Sequence, residues 1–275
     1  MNSHAVAISE YDRRIQRAEW LIAQKSAATE LLAFYREIAG FQKSLLQQIA
    51  AKVNVKELER FQEIREAFEL AFLLPKYGSF LSLVAGKAPA ALAEAAQALA
   101  KSPSEQRRQI LADYCQNGGT SQPKNGAFEQ FFARAFIEPY ASLLAANRIS
   151  PPVDGAPRTC PACGSQPVFG VLRAEGDGAK RLLTCSFCGS EWEFRRILCP
   201  ACGEEDEKNL PVYQAEEFPQ IRIEACDTCK YCLRTIDLTK DGRAVPVVDD
   251  IAAIPLTLWA NEHGYQRLQE NLLGS

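Results

Sequence analysis

Nine of the ten cysteines lie between Cys160 and Cys232, and eight of them form four CxxC pairs: Cys160/Cys163, Cys185/Cys188, Cys199/Cys202 and Cys226/Cys229. Thiolates grouped this way hold a metal ion in a tetrahedron of four sulfurs. Two residues between cysteines let one tight turn aim both sulfurs at a point, and a second turn facing it completes the coordination. Paired in chain order, the motifs read CPAC, 21 residues, CSFC, and then CPAC, 23 residues, CDTC. Each gap accommodates a β-hairpin between its two knuckles. Gly164, Gly189 and Gly203 follow the second cysteine of three knuckles, where a residue free to take positive φ turns backbone N–H groups toward the thiolates. The fourth knuckle departs from this. Lys230 follows Cys229 and Cys232 repeats the spacing, so Cys226/Cys229 and Cys229/Cys232 both stand as its closing pair.

Other cysteine chemistries fit less well. Disulfides belong to oxidising compartments, but the start MNSHAVAISEYDRRIQRAEW has no apolar h-region, and its Arg13-Arg14 leads into polar residues. A reduced, cytoplasmic location is predicted. Thioredoxin-like exchange needs a CxxC opening a helix in a βαβ unit, and these pairs sit among Gly, Pro and short strands. Cys115 ends an amphipathic helix and reads as a small half-buried residue. Catalysis has little support: four-cysteine sites are closed to substrate, no GxSxG, P-loop or GxGxxG occurs, and the two histidines, His4 and His263, read as surface residues. The chain is predicted not to be an enzyme.

The 275 residues are 47% hydrophobic and carry a formal charge of −3, with a pI near 5.6. No apolar run approaches the length of a membrane span, and the acidic balance disfavours a protein built to neutralise nucleic-acid phosphates. Arg158, Arg173, Lys180, Arg181, Arg195 and Arg196 crowd the first two knuckles. They are expected to offset the net charge of −2 that each M²⁺(Cys⁻)₄ centre would carry.

To position these knuckles, the sequence divides near residue 150. The predicted class is α+β: an all-helical domain over 1–149, four-cysteine modules over 150–198 and 199–248, and a C-terminal helical segment over 249–275. Helical periodicity predicts helices over 8–25 and 29–52. The first has Ile15, Ala18, Leu21 and Ile22 on one face, and Arg13, Arg14 and Arg17 near its other side. Asn54 and Glu57 suggest a capping box for a helix running to Leu74, stopped by Pro75. Ser102 and Pro103 read as N-cap and N1 of a helix ending at Cys115. Phe128, Phe131, Phe132, Ala135 and Phe136 line another, read as packed core. Strands are predicted over 168–172 and 181–184 around an EGDG turn, over 191–194 and 221–224, and as a hairpin over 233–238 and 244–248 around KDGR. Residues 249–273 read as mostly helical, with a kink or new start at Pro255.

Residues 160–206 resemble the FdhE family of formate dehydrogenase accessory proteins. The likeness rests on the CPxCGSxPV knuckle from Cys160 to Val168, a CSxC knuckle running into Glu191-Trp192, Arg195 three residues after that tryptophan, and the third knuckle at Cys199. LLAFY from Leu31 and the ending GYQRLQENLL from Gly264 extend it more weakly. The resemblance implies a helical domain joined to two rubredoxin-like, zinc-ribbon-like modules that bind iron through the CxxC motifs. It further implies a cytoplasmic assembly factor that associates with the catalytic subunit of respiratory formate dehydrogenase before export. Carried over, the ligands are Cys160, Cys163, Cys185 and Cys188 in one module and Cys199, Cys202, Cys226 and Cys229 in the other, with Cys232 an extra thiol. Glu193 stands where the family often has histidine.

Three functions follow as expectations. The first is an assembly factor with two iron or zinc ions, docking its partner through Trp192, Arg195 and Arg196. The second is a nucleic-acid-binding zinc ribbon. The third is a rubredoxin-like electron carrier or redox sensor. Self-association is compatible with each.

Overall fold

The computed structural model describes residues 3–52, 64–118, 126–147 and 155–274. The helical half contains α1 (Ser3–Ala23), α2 (Thr29–Lys52), a 3₁₀ turn (Ile64–Glu66), α3 (Leu70–Lys87), α4 (Ala90–Lys101), α5 (Ser104–Asn117) and α6 (Ala127–Ala146). Helix α2 spans the predicted residues and buries Leu32, Tyr35, Ile38, Leu45, Leu46 and Ile49 along one stripe. The aromatic helix α6 buries Phe132, Ala135 and Phe136 but leaves Phe128 exposed.

Several local expectations give way. The proposed Asn54/Glu57 capping box and the 149/150 boundary lie outside the described residues. Pro75 does not end a helix; it sits in the second turn of α3, where the hydrogen bond it forgoes is a single one close to the N-terminus. Tyr77, Phe80, Leu81 and Val84 beyond it are fully buried, and that burial keeps the helix going. Ser102 is not the N-cap of α5: its hydroxyl donates to Leu99 O at 2.8 Å and closes α4. Arg14 and Arg17 do not lie on a solvated side of α1. Each is under 10% exposed, Arg14 pairing with Glu138 at 2.7 Å and Arg17 with Asp249 at 2.6 Å.

The cysteine half is one sheet of seven strands: β1 (Pro167–Glu175), β2 (Gly178–Cys185), β3 (Glu191–Glu193), β4 (Val212–Gln214), β5 (Ile221–Ala225), β6 (Tyr231–Asp237) and β7 (Gln266–Arg267). Its order is β3-β2-β1-β6-β5-β4, with β7 also pairing β6. The β1–β2 hairpin turns through Gly176-Asp177, with Gly176 at φ +54°. The second predicted hairpin does not form. After β6 the chain bends at Asp241 and enters α7 (Pro246–Ala252), because Pro246 opens a helix and the Asp249 carboxylate accepts the Val245 N–H at 2.8 Å. A second short helix, α8 (Ile254–Glu262), follows with Pro255 in its first turn, and the chain then runs extended through β7.

The two ribbons join into one sheet where β1 and β6 pair in parallel, Gly170 opposite Thr235. A Cβ on Gly170 would collide with the Thr235 hydroxyl. Gly170→Val is therefore expected to lower stability by about 1–3 kcal/mol, read as a drop in the denaturation midpoint. Gly78→Ala, in open space on α3, should be neutral or mildly stabilising. Leu183, Phe187, Trp192 and Leu233 pack into the helical core, whereas Phe169, Val171, Ile223 and Ile236 form a second core with Leu256 and Ala260 of α8.

Candidate metal centres

All four knuckles share one backbone turn. The N–H of the first cysteine donates to the carbonyl five residues on, from Cys160 to Ser165, Cys185 to Ser190, Cys199 to Glu204 and Cys226 to Tyr231, at 2.8–3.0 Å. The residue after the second cysteine donates back to the first, at 2.8 to 3.3 Å. That residue is left-handed every time: Gly164 φ +73°, Gly189 +70°, Gly203 +85° and Lys230 +61°. Lys230 thus adopts the glycine conformation despite its Cβ, at a cost its neighbours must offset. Lys230→Gly should raise stability by about 1 kcal/mol, because the Asp227 ion pair it loses is mostly exposed and worth little. The metal-loaded protein's thermal midpoint would report it.

These turns bring the sulfurs of Cys160, Cys163, Cys185 and Cys188 within 4.8 Å of one another, and those of Cys199, Cys202, Cys226 and Cys229 likewise. In the first group Cys163 lies 3.4 Å from Cys185 and 3.6 Å from Cys188, and Cys160 lies 3.7 Å from Cys188. In the second, Cys199 is 3.7 Å from Cys229 and Cys202 is 3.6 Å from Cys226. A tetrahedron with metal–sulfur bonds of 2.3 Å has edges of about 3.8 Å. Each group therefore fits a metal ion, zinc or iron alike. Crowding also splits the thiols' acidity: hydrogen bonds from neighbouring sulfurs hold Cys163 far below the usual thiol range, while burial pushes Cys185 well above it. A bound cation removes that conflict by taking all four as thiolates.

Cys226 joins Cys229 in the second group and Cys232 does not. Cys232 sits in β6 opposite Ala225, buried in the second core, and burial pushes its thiol up to about 11. Cys115 lies in α5, buried rather than half-buried, its thiol pushed up to about 12 by burial. His263 caps the end of α8, its Nδ1 2.8 Å from Trp259 O and its ring stacked on Trp259.

The arginines named as counter-charges are mostly engaged elsewhere. Arg173 pairs with Glu191, Lys180 with Glu193, Arg181 with Glu224 and Arg195 with Glu205. Arg196 donates to Ala179 O, and only Arg158 reaches a knuckle, donating to Ala201 O at 2.9 Å. Trp192 is 7% exposed and its indole N–H donates to Pro157 O at 2.8 Å.

The residue that does serve the first centre is Arg65, which the sequence reading passed over. It follows the first residue of the 3₁₀ turn, 95 positions before the first knuckle. Its guanidinium donates to Cys163 O at 3.1 Å, Cys115 O at 2.9 Å, Gly118 O at 2.7 Å and Ser165 Oγ at 2.6 Å, and lies over the Phe187 ring. No local pattern marks such a residue, since its partners are distant in sequence.

Comparison with known proteins agrees with this geometry. Residues 159–196 match the central domain of FdhE and residues 197–273 its C-terminal domain. An FdhE homolog of Aquifex aeolicus is 38% identical over 116 residues, 42% of this chain and 41% of that protein, so the matched stretch is under half the relative's length. One from Pseudomonas putida is 27% identical over 98% of this chain and 89% of its own. The crystal structure of the FdhE protein from Pseudomonas aeruginosa superposes with a TM-score of 0.67 at 25% identity, covering 97% of this chain and 95% of that one. Both cysteine-bearing domains, residues 159–273, thus match those of FdhE, and the helical half shares the fold of the solved FdhE protein.

Proposed function

We propose that this chain is a cytoplasmic, non-enzymatic accessory protein for the assembly of a respiratory formate dehydrogenase, whose catalytic subunit it binds. The eight cysteines of the two groups serve as the metal ligands, iron or zinc. One observation carries the reading: two closed four-sulfur groups, with no open position for substrate, sit on a single sheet packed against a helical domain. Closed sites of this kind hold or sense; they do not turn over.

The contact surface we assign is the cleft of about 590 Å³ bordered by Pro157, Trp192, Phe194, Arg195 and Glu205. Arg195 is exposed at its edge and Arg196, next in the chain, is exposed as well, and arginines are frequent interface anchors. Buried Trp192 forms the cleft's floor and acts by shaping it. A nucleic-acid role is disfavoured by the acidic balance of the chain, with a formal charge of −3.

Deleting the gene should abolish formate dehydrogenase activity, and the intact gene should restore it. The double variant Arg195→Glu/Arg196→Glu should recover the catalytic subunit poorly in a pull-down. Normal activity in the deletion strain would defeat the assembly role, and undiminished recovery would remove this cleft from it.

A further inference from the structure

The two four-sulfur groups differ in their surroundings more than in their geometry. In the first, Cys160, Cys185 and Cys188 are buried and Cys163 is half-buried. In the second, Cys202 is exposed and Cys229 half-buried. The residue that closes each knuckle turn differs in step. It is Ser165 and Ser190 in the first group, whose hydroxyls lie 3.3 Å from Cys163 Sγ and 3.2 Å from Cys188 Sγ. In the second it is Glu204 and Tyr231. The Glu204 carboxylate accepts from the Thr228 hydroxyl and the Glu205 and Asp206 N–H groups, and Tyr231 is 40% exposed. Among the described residues, no hydroxyl rests on a sulfur of the second group.

Arg65 extends the contrast. It binds the Ser165 hydroxyl and the Cys163 carbonyl while also holding Cys115 O and Gly118 O at the end of α5. Phe187, between the ligands of the second knuckle, is wedged among Phe68, Tyr114 and Arg65. The first group is thus fastened to the helical domain by a cation and an aromatic side chain. Outer-shell hydrogen bonds of this kind orient ligands and slow their loss, and burial restricts access by competing chelators.

We propose that the two centres are unequal by construction. The first is a kinetically locked joint in which Arg65, acting through Ser165, is a positioning residue. The second is a surface centre that exchanges a thiophilic divalent cation with solution. This rests on the two-centre reading above.

The test uses the full chain loaded anaerobically with two equivalents of Co²⁺, whose thiolate charge-transfer absorption reports bound metal, and challenged with excess EDTA. Release should occur in two phases of equal amplitude whose rates differ at least about tenfold. Cys202→Ser should remove the fast phase. Ser165→Ala and Arg65→Met should each accelerate the slow phase about 10–100-fold and leave the fast one unaltered, with Arg65→Lys recovering part of the loss. Ser165→Ala should also shift the charge-transfer band of the slow component without moving the unfolding midpoint of the helices, a change that a purely structural role would not produce. A single release phase, or loss of the slow phase in Cys202→Ser, would overturn the inequality. A slow phase indifferent to both Ser165→Ala and Arg65→Met would overturn the positioning role. Binding of fewer than two Co²⁺ per chain would instead sink the two-centre reading.

Discussion

Removing both metals from the reduced chain should unfold the cysteine half while most of the helical signal survives. Four-thiolate zinc sites contribute about 10–16 kcal/mol to the folding of small ribbons at neutral pH, more than the net stability of most domains. The knuckles have no substitute for it: four thiols packed at 3.4–3.7 Å in the first group cannot all be thiolates without a cation. Trp192 gives the readout. Its indole is buried and bound to Pro157 O beside the first centre, so its fluorescence should shift to the red as β2 and β3 separate, in a Trp20→Phe/Trp259→Phe background. Circular dichroism should retain most of its helical signal, since α2, α3 and α6 also pack directly on one another through Phe41, Tyr77, Phe80 and Phe136. A metal-free protein with an unshifted Trp192 spectrum and an unchanged melting midpoint would show that the sheet holds itself.

The second large effect concerns Asp250. It is fully buried in α7 and accepts from Arg234 Nε at 2.8 Å, Arg267 Nη1 at 3.1 Å and Asn271 Nδ2 at 2.9 Å. Arg234 also reaches Ala253 O and Thr257 Oγ1, and Arg267 reaches Val168 O. One carboxylate thus joins β6, α7, β7 and the chain end. Asp250→Ala leaves two buried guanidiniums without their counter-charge, and a loss of about 3–5 kcal/mol is expected, measured by urea denaturation of the metal-loaded protein. Asp250→Asn keeps part of the hydrogen bonding but not the charge and should fall between. A loss below about 1 kcal/mol in the alanine variant would mean that water or rearranged partners replace the carboxylate.

Neighbouring Asp249 does the corresponding work on the other side. It receives Arg17 from α1 at 3.0 and 2.6 Å and the Val245 N–H at 2.8 Å. The adjacent carboxylates therefore clamp α7 between the helical domain and the sheet. Neither was singled out in the sequence, where an Asp-Asp pair is indistinguishable from a solvated surface turn. Arg14, Arg17 and Arg65 were hidden in the same way: charge is read as exposure unless the partner is known, and these partners lie 50 to 232 residues away.

Local chemistry was legible. The CxxC spacing, the glycine after three of the four knuckles, the β1–β2 turn at EGDG and the stripe of α2 are short-range patterns, and each stands in the structure. Misreadings arose where a local signal competes with burial. Pro75 reads as a stop, but the apolar side chains beyond it pay for one lost hydrogen bond. The alternation from Ala244 to Val248 reads as a strand, but Pro246 and the Asp249 carboxylate make it a helix entry.

By itself the sequence determined that the CxxC knuckles pair in chain order into two four-sulfur sets, with the partner of Cys229 left open, because the turn that aims two sulfurs together is complete within six residues. Tertiary structure alone decided that Cys232 turns into a core while Cys226 joins its set. It alone also joined the ribbons through β1 and β6 and placed the contacts of Arg65 on the first centre, where the second has, among the described residues, the exposed Arg158 on Ala201 O. Those outcomes depend on which distant surfaces pack together, and a side chain's exposure and charge partners follow from that packing.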